Sequence, residues 1–231
     1  MLFITFCYAA DADMLRMSAA RIHDLDPAAV IYAVNDPAAP IKESIPGVTF
    51  LPCNFERGGN LNGLKAVAGE LTCFEYLLRQ TGAEYITKID CDLWANDLEP
   101  FLATGPGAPD YLSVERSEPF KPSGLIYRLS RHMVRELVRR FNARTRAEQW
   151  PSTYHYPEDI TIYSLAQQTR LRCELIPYTT GYTAGMRDGG PGANGHCYRA
   201  GVVHCGEPLP DGRRVSREHA TLRMRLLAAG V

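Results

Sequence analysis

Short apolar runs alternate with longer segments of helical period along the first half of the chain. The runs rich in β-branched and aromatic residues lie at residues 2–8, 29–34, 48–52 and 84–89. Within residues 64–82, apolar positions recur every three or four residues, which predicts an amphipathic helix ended by Gly82. Asp11 or Asp13 is placed to cap an earlier helix. This strand–helix–strand rhythm predicts an α/β fold, with a mainly parallel sheet flanked by helices.

The second half of the chain is less regular. Strands are predicted at residues 110–114, 124–129, 172–177 and 201–204. Ser130 is placed to cap a helix, and a further helix is predicted over residues 157–168, because Pro157, Glu158 and Asp159 suit a first turn. The segment from Gly185 to Gly195 is too rich in glycine to hold one conformation by itself, and we predict a loop that closes over a bound ligand.

Composition narrows the class of protein. The 231 residues are 45% hydrophobic and 22% charged, which is enough apolar material for one globular domain. The formal net charge is -1 and no long basic block is present, so nucleic acid is not an expected partner. No apolar run approaches the roughly 20 residues of a transmembrane segment, and the apolar N-terminus lacks a basic leader, so a core strand is expected there. The seven scattered cysteines match no CxxC spacing, which favours reduced thiols and a cytoplasmic location over structural zinc.

Two aspartates follow the fourth apolar run, in the stretch YITKIDCDLWAND. Residues two apart on a strand share a face, so Asp90 and Asp92 are expected to point the same way as Lys88. They would lie at the carboxyl end of a parallel strand, where open α/β sheets bind ligands. Paired carboxylates suit Mg²⁺ or Mn²⁺, and such an ion would neutralise the charge on a departing nucleoside diphosphate. The alternative is that the pair caps the following turn or pairs with arginines.

This stretch resembles the strand-plus-DxD signature of GT-A glycosyltransferases, and more narrowly that of the β-1,3-galactosyltransferase and Fringe group. The positions that match the group's motif are Lys88, Asp90, Asp92, Trp94 and Asn96, with Cys91 in place of a middle aspartate. Similar elements of that group are found in NLNGLK upstream, and in PSGLIYRLSRHMV, YPEDITIYSLA and GVVHC downstream. With gaps, the resemblance covers about residues 55–205.

The resemblance implies a GT-A, Rossmann-like fold in a single domain over residues 1–231. Residues 1–100 would form the nucleotide-binding half and residues 101–231 the acceptor-binding half. The implied activity is that of a metal-dependent, inverting glycosyltransferase, a hexosyltransferase that moves a sugar from a nucleotide-sugar, expected to be a UDP-sugar. The expected acceptor is a hydroxyl of a glycan or of a small molecule.

The resemblance also implies roles for individual residues. The nucleotide-sugar would be bound by Thr5, Tyr8, Ala9, Asp36, Arg57, Asn60, Lys65, Lys88 and Asp90. The expected metal ligands are Asp90, Asp92 and His204, with His155 and His196 as rivals for the histidine position. An imidazole ligand suits Mn²⁺ better than Mg²⁺.

In an inverting reaction a carboxylate takes the proton from the acceptor hydroxyl. The resemblance assigns this role to Asp159, with Glu158 in support, although acidic residues also stabilise the first turn of a helix electrostatically. The alternative for Asp36 is a structural role in an Asn-Asp-Pro turn instead of a contact with the nucleotide. Three aromatic residues are candidates for stacking on a sugar or, more commonly, for ordinary packing: Trp94, Trp150 and Tyr154.

Two other functions remain open from the sequence. A nucleotidyltransferase shares the strand–acid–metal layout, but such enzymes usually carry a glycine-rich basic loop after the first strand, and CYAADADML has none. A non-catalytic nucleotide-sugar-binding protein is the other alternative, and the presence of the Glu158–Asp159 pair argues against it.

Overall fold

The strands of the protein form two sheets. The structure is a computed structural model, and it describes residues 1–52, 63–115, 122–150, 157–177, 179–181, 201–206 and 215–229. The strands are β1 (Leu2–Cys7), β2 (Val30–Asn35), β3 (Val48–Leu51), β4 (Tyr85–Ile89), β5 (Leu93–Ala95), β6 (Tyr111–Glu115), β7 (Pro122–Ser130), β8 (Cys173–Ile176), β9 (Thr179–Gly181) and β10 (Val202–His204).

Seven strands make the main sheet, in the order β3-β2-β1-β4-β7-β6-β8. The first four neighbours pair in parallel, β7 runs antiparallel to both β4 and β6, and β8 is parallel to β6. The three remaining strands form a small sheet in the order β5-β10-β9. Strands β1 to β4 therefore end at one edge of the main sheet, and β7 begins at that same edge.

Six α-helices are described, together with a 3₁₀ turn at Ala9–Asp11. The helices are α1 (Ala12–Leu25), α2 (Gly63–Thr81), α3 (Glu99–Leu102), α4 (Arg131–Arg146), α5 (Glu158–Gln167) and α6 (Arg217–Ala229). No helix among the described residues is long and apolar enough to cross a lipid bilayer.

Strand β1 shows how the sheet is buried on both faces. All six of its residues are buried, and successive side chains enter different cores. Leu2, Ile4 and Phe6 pack into the core beneath α2, α4 and α5, while Phe3 and Cys7 pack into cores that include α1. Because both faces of the strand are covered, its sequence is a continuous run of mostly apolar residues without polar alternation.

The predicted fold class is confirmed, since a mixed, mostly parallel sheet is flanked by helices. The helix predicted over 64–82 spans Gly63–Thr81 and is followed by Gly82 with a φ of 71°, and Ser130 caps α4 by accepting from the Met133 amide at 3.0 Å. The small sheet formed by β5, β9 and β10 was not predicted, nor was α6. Both lie on the same side of the molecule as α1, and α6 packs against α1.

Candidate active site

The acidic pair lies just beyond the end of β4. The strand ends at Ile89, and Asp90, Cys91 and Asp92 form the turn that leads into β5. Asp90 points towards Lys88, as expected, but the expectation is wrong for Asp92, because strand alternation stops before Asp90 and Asp92 faces Arg217 and His204 instead. In the turn the two carboxylates acquire different partners, and each forms a separate cluster at the carboxyl edge of the sheet.

The first cluster is centred on the amino group of Lys88, which is 3% exposed. Lys88 Nζ donates to Asp90 Oδ1 at 2.6 Å and to the carbonyl oxygen of Gly124 at the start of β7. Burial by itself would lower the pKa of Lys88, but the carboxylates of Asp90, Glu70 and Glu158 raise it above its usual value. Lys88 is thus a buried cation that orients the first aspartate of the pair.

Glu70 and Tyr127 complete this cluster, and neither was identified from the sequence. Tyr127 lies opposite Lys88 on the neighbouring strand, and its hydroxyl donates to Glu70 Oε2 at 2.6 Å. Burial raises the pKa of Glu70 to about 8, although Lys88 and Tyr127 act in the opposite direction. An acidic residue among the apolar positions of α2 was the available signal, since glutamate is rarely buried without a partner.

The second cluster joins Asp92 to His204 at the end of β10. Asp92 is 8% exposed, and its Oδ2 lies 3.7 Å from His204 Nε2. The two residues are held together by β5 and β10, which pair antiparallel, and by a hydrogen bond from the Cys205 amide to the Asp92 carbonyl. Gly206 lies against both side chains: a Cβ atom at this position would collide with Asp92 Oδ2 and approach His204 Nε2 to 3.0 Å. The absence of a side chain at Gly206 lets Asp92 and His204 approach this part of the backbone closely.

The donor set of Asp92 and His204 fits a divalent ion. Two ligand atoms can both reach an ion at 2.0–2.1 Å when they are no more than about 4 Å apart, and the 3.7 Å between Asp92 Oδ2 and His204 Nε2 meets this condition. Asp90, the third predicted ligand, is turned towards Lys88. Within the described ranges no three His, Cys, Asp or Glu side chains already converge as a metal site. Two of the three predicted ligands are therefore together, and the third is near them in the chain.

Arg217, the first residue of α6, occupies the centre of the second cluster. Its Nη1 lies 2.9 Å from Asp92 Oδ2, and its Nε lies 3.3 Å from Asp11 Oδ1 and donates to the Tyr8 hydroxyl at 3.0 Å. Burial opposes the charge of Arg217, but the carboxylates of Asp92 and Asp11 raise its pKa above its usual value. A cavity of about 450 Å³ beside Arg217 is lined by Ala9 and Ala10 from the turn after β1.

Sequence reasoning missed Arg217 because it missed the helix that carries it. A helical signal was present, since the buried residues of α6 recur at a spacing of three or four. They are Ala220, Arg223, Met224 and Leu227. Asp11 was expected near a helix start, and α1 does begin directly after it, but its carboxylate accepts from the Tyr8 amide at 3.2 Å and pairs with Arg217.

Glu158 and Asp159 form the first turn of α5 and lie against Gly124 on β7. A Cβ atom on Gly124 would be 3.2 Å from both Glu158 Oε1 and Asp159 Oδ2, so the absence of a side chain lets α5 approach the strand closely. Asp159 is 1% exposed and its Oδ1 accepts from the Ile160 amide at 2.8 Å. Glu158 is half-buried, and burial raises its pKa although Lys88 acts to lower it.

The remaining predicted nucleotide contacts fall in different places. Thr5 is 1% exposed with its hydroxyl 3.2 Å from Cys91 Sγ, and Asp36 Oδ1 accepts from the Ala38 amide at 2.9 Å within the turn after β2. Ala9 and Lys65 are exposed. Several sequence-based predictions concern residues outside the described ranges: Arg57, Asn60, His155, His196, Tyr154 and the segment from Gly185 to Gly195.

Two of the aromatic candidates pack within the protein. Trp94 is 8% exposed, lies in the core that includes α1 and α6, and donates from Nε1 to Asn96 Oδ1 at 3.1 Å. Trp150 packs against Phe141 of α4, with a ring-centroid distance of 5.6 Å. Packing, the commoner role for such residues, is what the structure shows for both.

Comparison with known proteins gives structural neighbours only. No protein-family model matches the chain, and no curated protein matches its sequence. A glycosyltransferase involved in the glycosylation of the major capsid of PBCV-1 superimposes with a TM-score of 0.60 at 12% identity, over 97% of this chain and 98% of that one. The galactosyltransferase LgtC, solved with donor and acceptor sugar analogues, gives a TM-score of 0.57 at 14% identity, over 97% and 95% of the two chains.

A third neighbour is the glycosyltransferase GlyE of Streptococcus pneumoniae TIGR4, with a TM-score of 0.56 at 9% identity. The match covers 99% of this chain and 63% of that one. At these identities the likeness shows the fold, so the chain has the GT-A fold of these glycosyltransferases. The narrower resemblance to the β-1,3-galactosyltransferase and Fringe group stays a prediction.

Proposed function

We propose that the protein is a metal-dependent glycosyltransferase that moves a hexose from a UDP-sugar to an acceptor hydroxyl of a glycan or small molecule. The observation that carries the proposal is the meeting of Asp92 and His204, 3.7 Å apart, beside Asp90 at the carboxyl edge of a GT-A sheet. Ligands bind at this edge in open α/β sheets. The cytoplasmic location inferred from the cysteines stays a prediction.

In this proposal Asp92 and His204 hold Mn²⁺, with Asp90 as a further ligand. These residues would hold the ion, which would supply positive charge to stabilise a departing diphosphate. Lys88 holds Asp90 Oδ1 at 2.6 Å and so fixes the rotation of that carboxylate. Gly206 provides the space in which the donor oxygens approach the ion. Tyr8 and Ala9, at the turn after β1, border the nucleotide.

Inversion is the stereochemical part of the proposal, and the Glu158–Asp159 pair supplies its base. Asp159 is 1% exposed, so an acceptor reaches its carboxylate only if the start of α5 moves away from Gly124. Glu158 is more exposed, and burial raises its pKa towards the range in which a carboxylate is an effective base at neutral pH. Separate variants of the two residues decide which of them acts.

The first experiment measures UDP release from a set of UDP-sugars with Mn²⁺, with and without EDTA. We expect release that requires the metal and is lost in His204→Gln. His132→Gln, at the exposed start of α4, is the matched control and should retain activity. Formation of UTP and a sugar 1-phosphate when pyrophosphate is added to the UDP-sugar, without release of UDP, would indicate a nucleotidyltransferase. Binding of UDP-sugar without turnover, with or without added acceptors, would indicate a non-catalytic binding protein.

The second experiment examines the base and the stereochemistry together. If Asp159 is the base, Asp159→Asn lowers the transfer rate by roughly 10²–10⁴-fold with little change in donor affinity. If it only stabilises the helix start, turnover stays near normal. Glu158→Gln is measured alongside, and proton NMR of the product gives the anomeric configuration. A product that retains the configuration of the donor would contradict inversion and remove both residues as the base.

A further inference from the structure

Arg217 shares one carboxylate oxygen with the proposed metal position. Its Nη1 lies 2.9 Å from Asp92 Oδ2, and this is the same oxygen that faces His204 Nε2 at 3.7 Å. An ion held between Asp92 and His204 would therefore bind an oxygen that already neighbours a guanidinium group. Two like charges at one oxygen repel each other, and the repulsion is strong in a partly buried site.

The position of Arg217 is fixed by the helix that carries it. Met224 and Leu227 of α6 pack in the same core as Met14 and Leu15 of α1. Arg223, nearly two turns after Arg217, donates to the Cys205 carbonyl at 2.8 Å and so ties the helix to the segment just after His204. Arg217 is thus anchored by buried contacts and is not a loosely held surface side chain.

The charges around Arg217 are unequal. Among the described contacts, the carboxylates of Asp11 and Asp92 face the guanidinium group of Arg217, and these three side chains together carry one formal negative charge before any ion binds. A divalent ion reverses that sign, whereas an ion together with a diphosphate restores a negative partner for Arg217. A cavity beside Arg217 lies between the turn after β1 and α6, and its lining also includes Asp13 and Glu218.

We infer that Arg217 makes binding of the metal depend on binding of the diphosphate. Without a nucleotide the guanidinium group holds Asp92 and opposes the ion. With a nucleotide it turns to the diphosphate, and Asp92 Oδ2 is released to the ion. This inference rests on the proposed function, because it assumes that a nucleoside diphosphate binds at this edge, and it assigns Arg217 as a positioning residue.

The test measures the affinity for Mn²⁺ by calorimetry, first alone and then with saturating UDP. Arg217→Gln by itself would leave Asp11 buried without its charge partner, so the variant used is Asp11→Asn combined with Arg217→Gln. Arg139→Gln is the control, because Arg139 lies on α4 and pairs with Glu136 at the surface, outside both clusters. Arg217→Lys is a second variant that keeps a charge beside Asp11.

In the unaltered protein and in Arg139→Gln, UDP should strengthen Mn²⁺ binding by about 5–150-fold, the usual range of coupling between two ligands. Without UDP, the double variant should bind Mn²⁺ more tightly than the unaltered protein does. The factor by which UDP strengthens Mn²⁺ binding should be at least about fivefold smaller in the double variant. Arg217→Lys should show an intermediate gain. Equal gains in all four proteins would overturn the inference alone. Absence of any Mn²⁺-dependent UDP binding in the unaltered protein would overturn the proposed function and this inference with it.

Discussion

At the residue scale, the most informative side chains are the buried charges beneath the acidic pair. The side chains of Glu70, Lys88 and Asp90 lie close together. Lys88 is the only cation that the described contacts place among them. Burying a charge is costly unless it is paired, so each of these residues depends on the others. Asp90 is therefore oriented by a network that also includes Tyr127, which donates to Glu70.

A raised pKa at Glu70 has a consequence for stability. The folded protein holds a proton on Glu70 between pH 4.5, its ordinary value, and about 8, whereas the unfolded chain releases it. The contribution of this group to stability is present below pH 4.5 and is lost as pH rises through that window. As pH rises through this window, the free energy of unfolding of Glu70→Gln should fall less than that of the unaltered protein. We expect the two decreases to differ by an amount on the order of a few kcal/mol.

Urea unfolding at both ends of that pH window measures this difference. The control is Glu75→Gln on the same helix, where the carboxylate pairs with Arg79 at the surface at 2.7 Å. The control should follow the unaltered protein. If Glu70→Gln loses as much stability with rising pH as the control does, Glu70 is not the group that holds the proton.

At the element scale, the site is made where elements end. Strand β4 stops at Ile89, β10 stops at His204, and α6 starts at Arg217, and these three termini bring the second cluster together. Polar groups at such ends are not required for the ladder or the helix, so they remain available for a ligand. Glycine at one of these ends, Gly206, admits a close approach that a larger residue would block.

Two glycines at element ends should therefore respond differently to alanine. In Gly206→Ala the new methyl group collides with Asp92 Oδ2, so we expect Mn²⁺-dependent UDP binding to weaken by about 10–100-fold. In Gly82→Ala the space is open but the φ of 71° is strained for alanine, so we expect a stability loss of about 1–2 kcal/mol.

Urea unfolding and calorimetry on both variants separate these effects. Gly82→Ala should bind UDP and Mn²⁺ as the unaltered protein does, since Gly82 lies at the end of α2 next to the start of β4, at the opposite edge of the sheet from the acidic pair. Normal UDP binding in Gly206→Ala would mean that the space beside Asp92 and His204 is not used by the ion.

At the scale of the whole molecule, the main sheet and the small sheet contribute different halves of the site. On the main sheet, Tyr8 and Asp90 directly follow β1 and β4, and Gly124 lies on β7. Strand β10 and helix α6 supply His204 and Arg217. A ligand that contacts both parts stabilises their association as well as each part. Binding should therefore be visible as a shift of the unfolding temperature of the entire protein.

We expect UDP with Mn²⁺, at about 100 times the dissociation constant, to add about 2.7 kcal/mol of stability. For a protein of this size that corresponds to a rise in melting temperature of about 5–10 °C. Thermal unfolding followed by fluorescence or calorimetry measures the rise. UDP with EDTA should produce much less, and an equal rise with EDTA would contradict metal-dependent binding.

The sequence by itself determined the elements whose signals are local. Continuous apolar runs predicted β1, β2 and β4, of which β1 and β4 are the most fully buried. The spacing of apolar residues predicted α2 to within one residue at each end. Ser130 predicted the start of α4, because a capping hydroxyl bonds to an amide only three residues away. The position of Asp90 and Asp92 at the carboxyl edge followed from the same local reading.

Tertiary structure alone decided which charges meet. Strand alternation placed Asp90 and Asp92 together, but the chain turns after Ile89, so that one carboxylate pairs with Lys88 and the other with Arg217. Arg217 and Asp92 are distant in sequence and meet only because α6 packs on α1 while β10 pairs with β5. Pairing between remote charges leaves no periodic signal, since its energy depends on distance and burial in the folded chain and not on the spacing of residues along it.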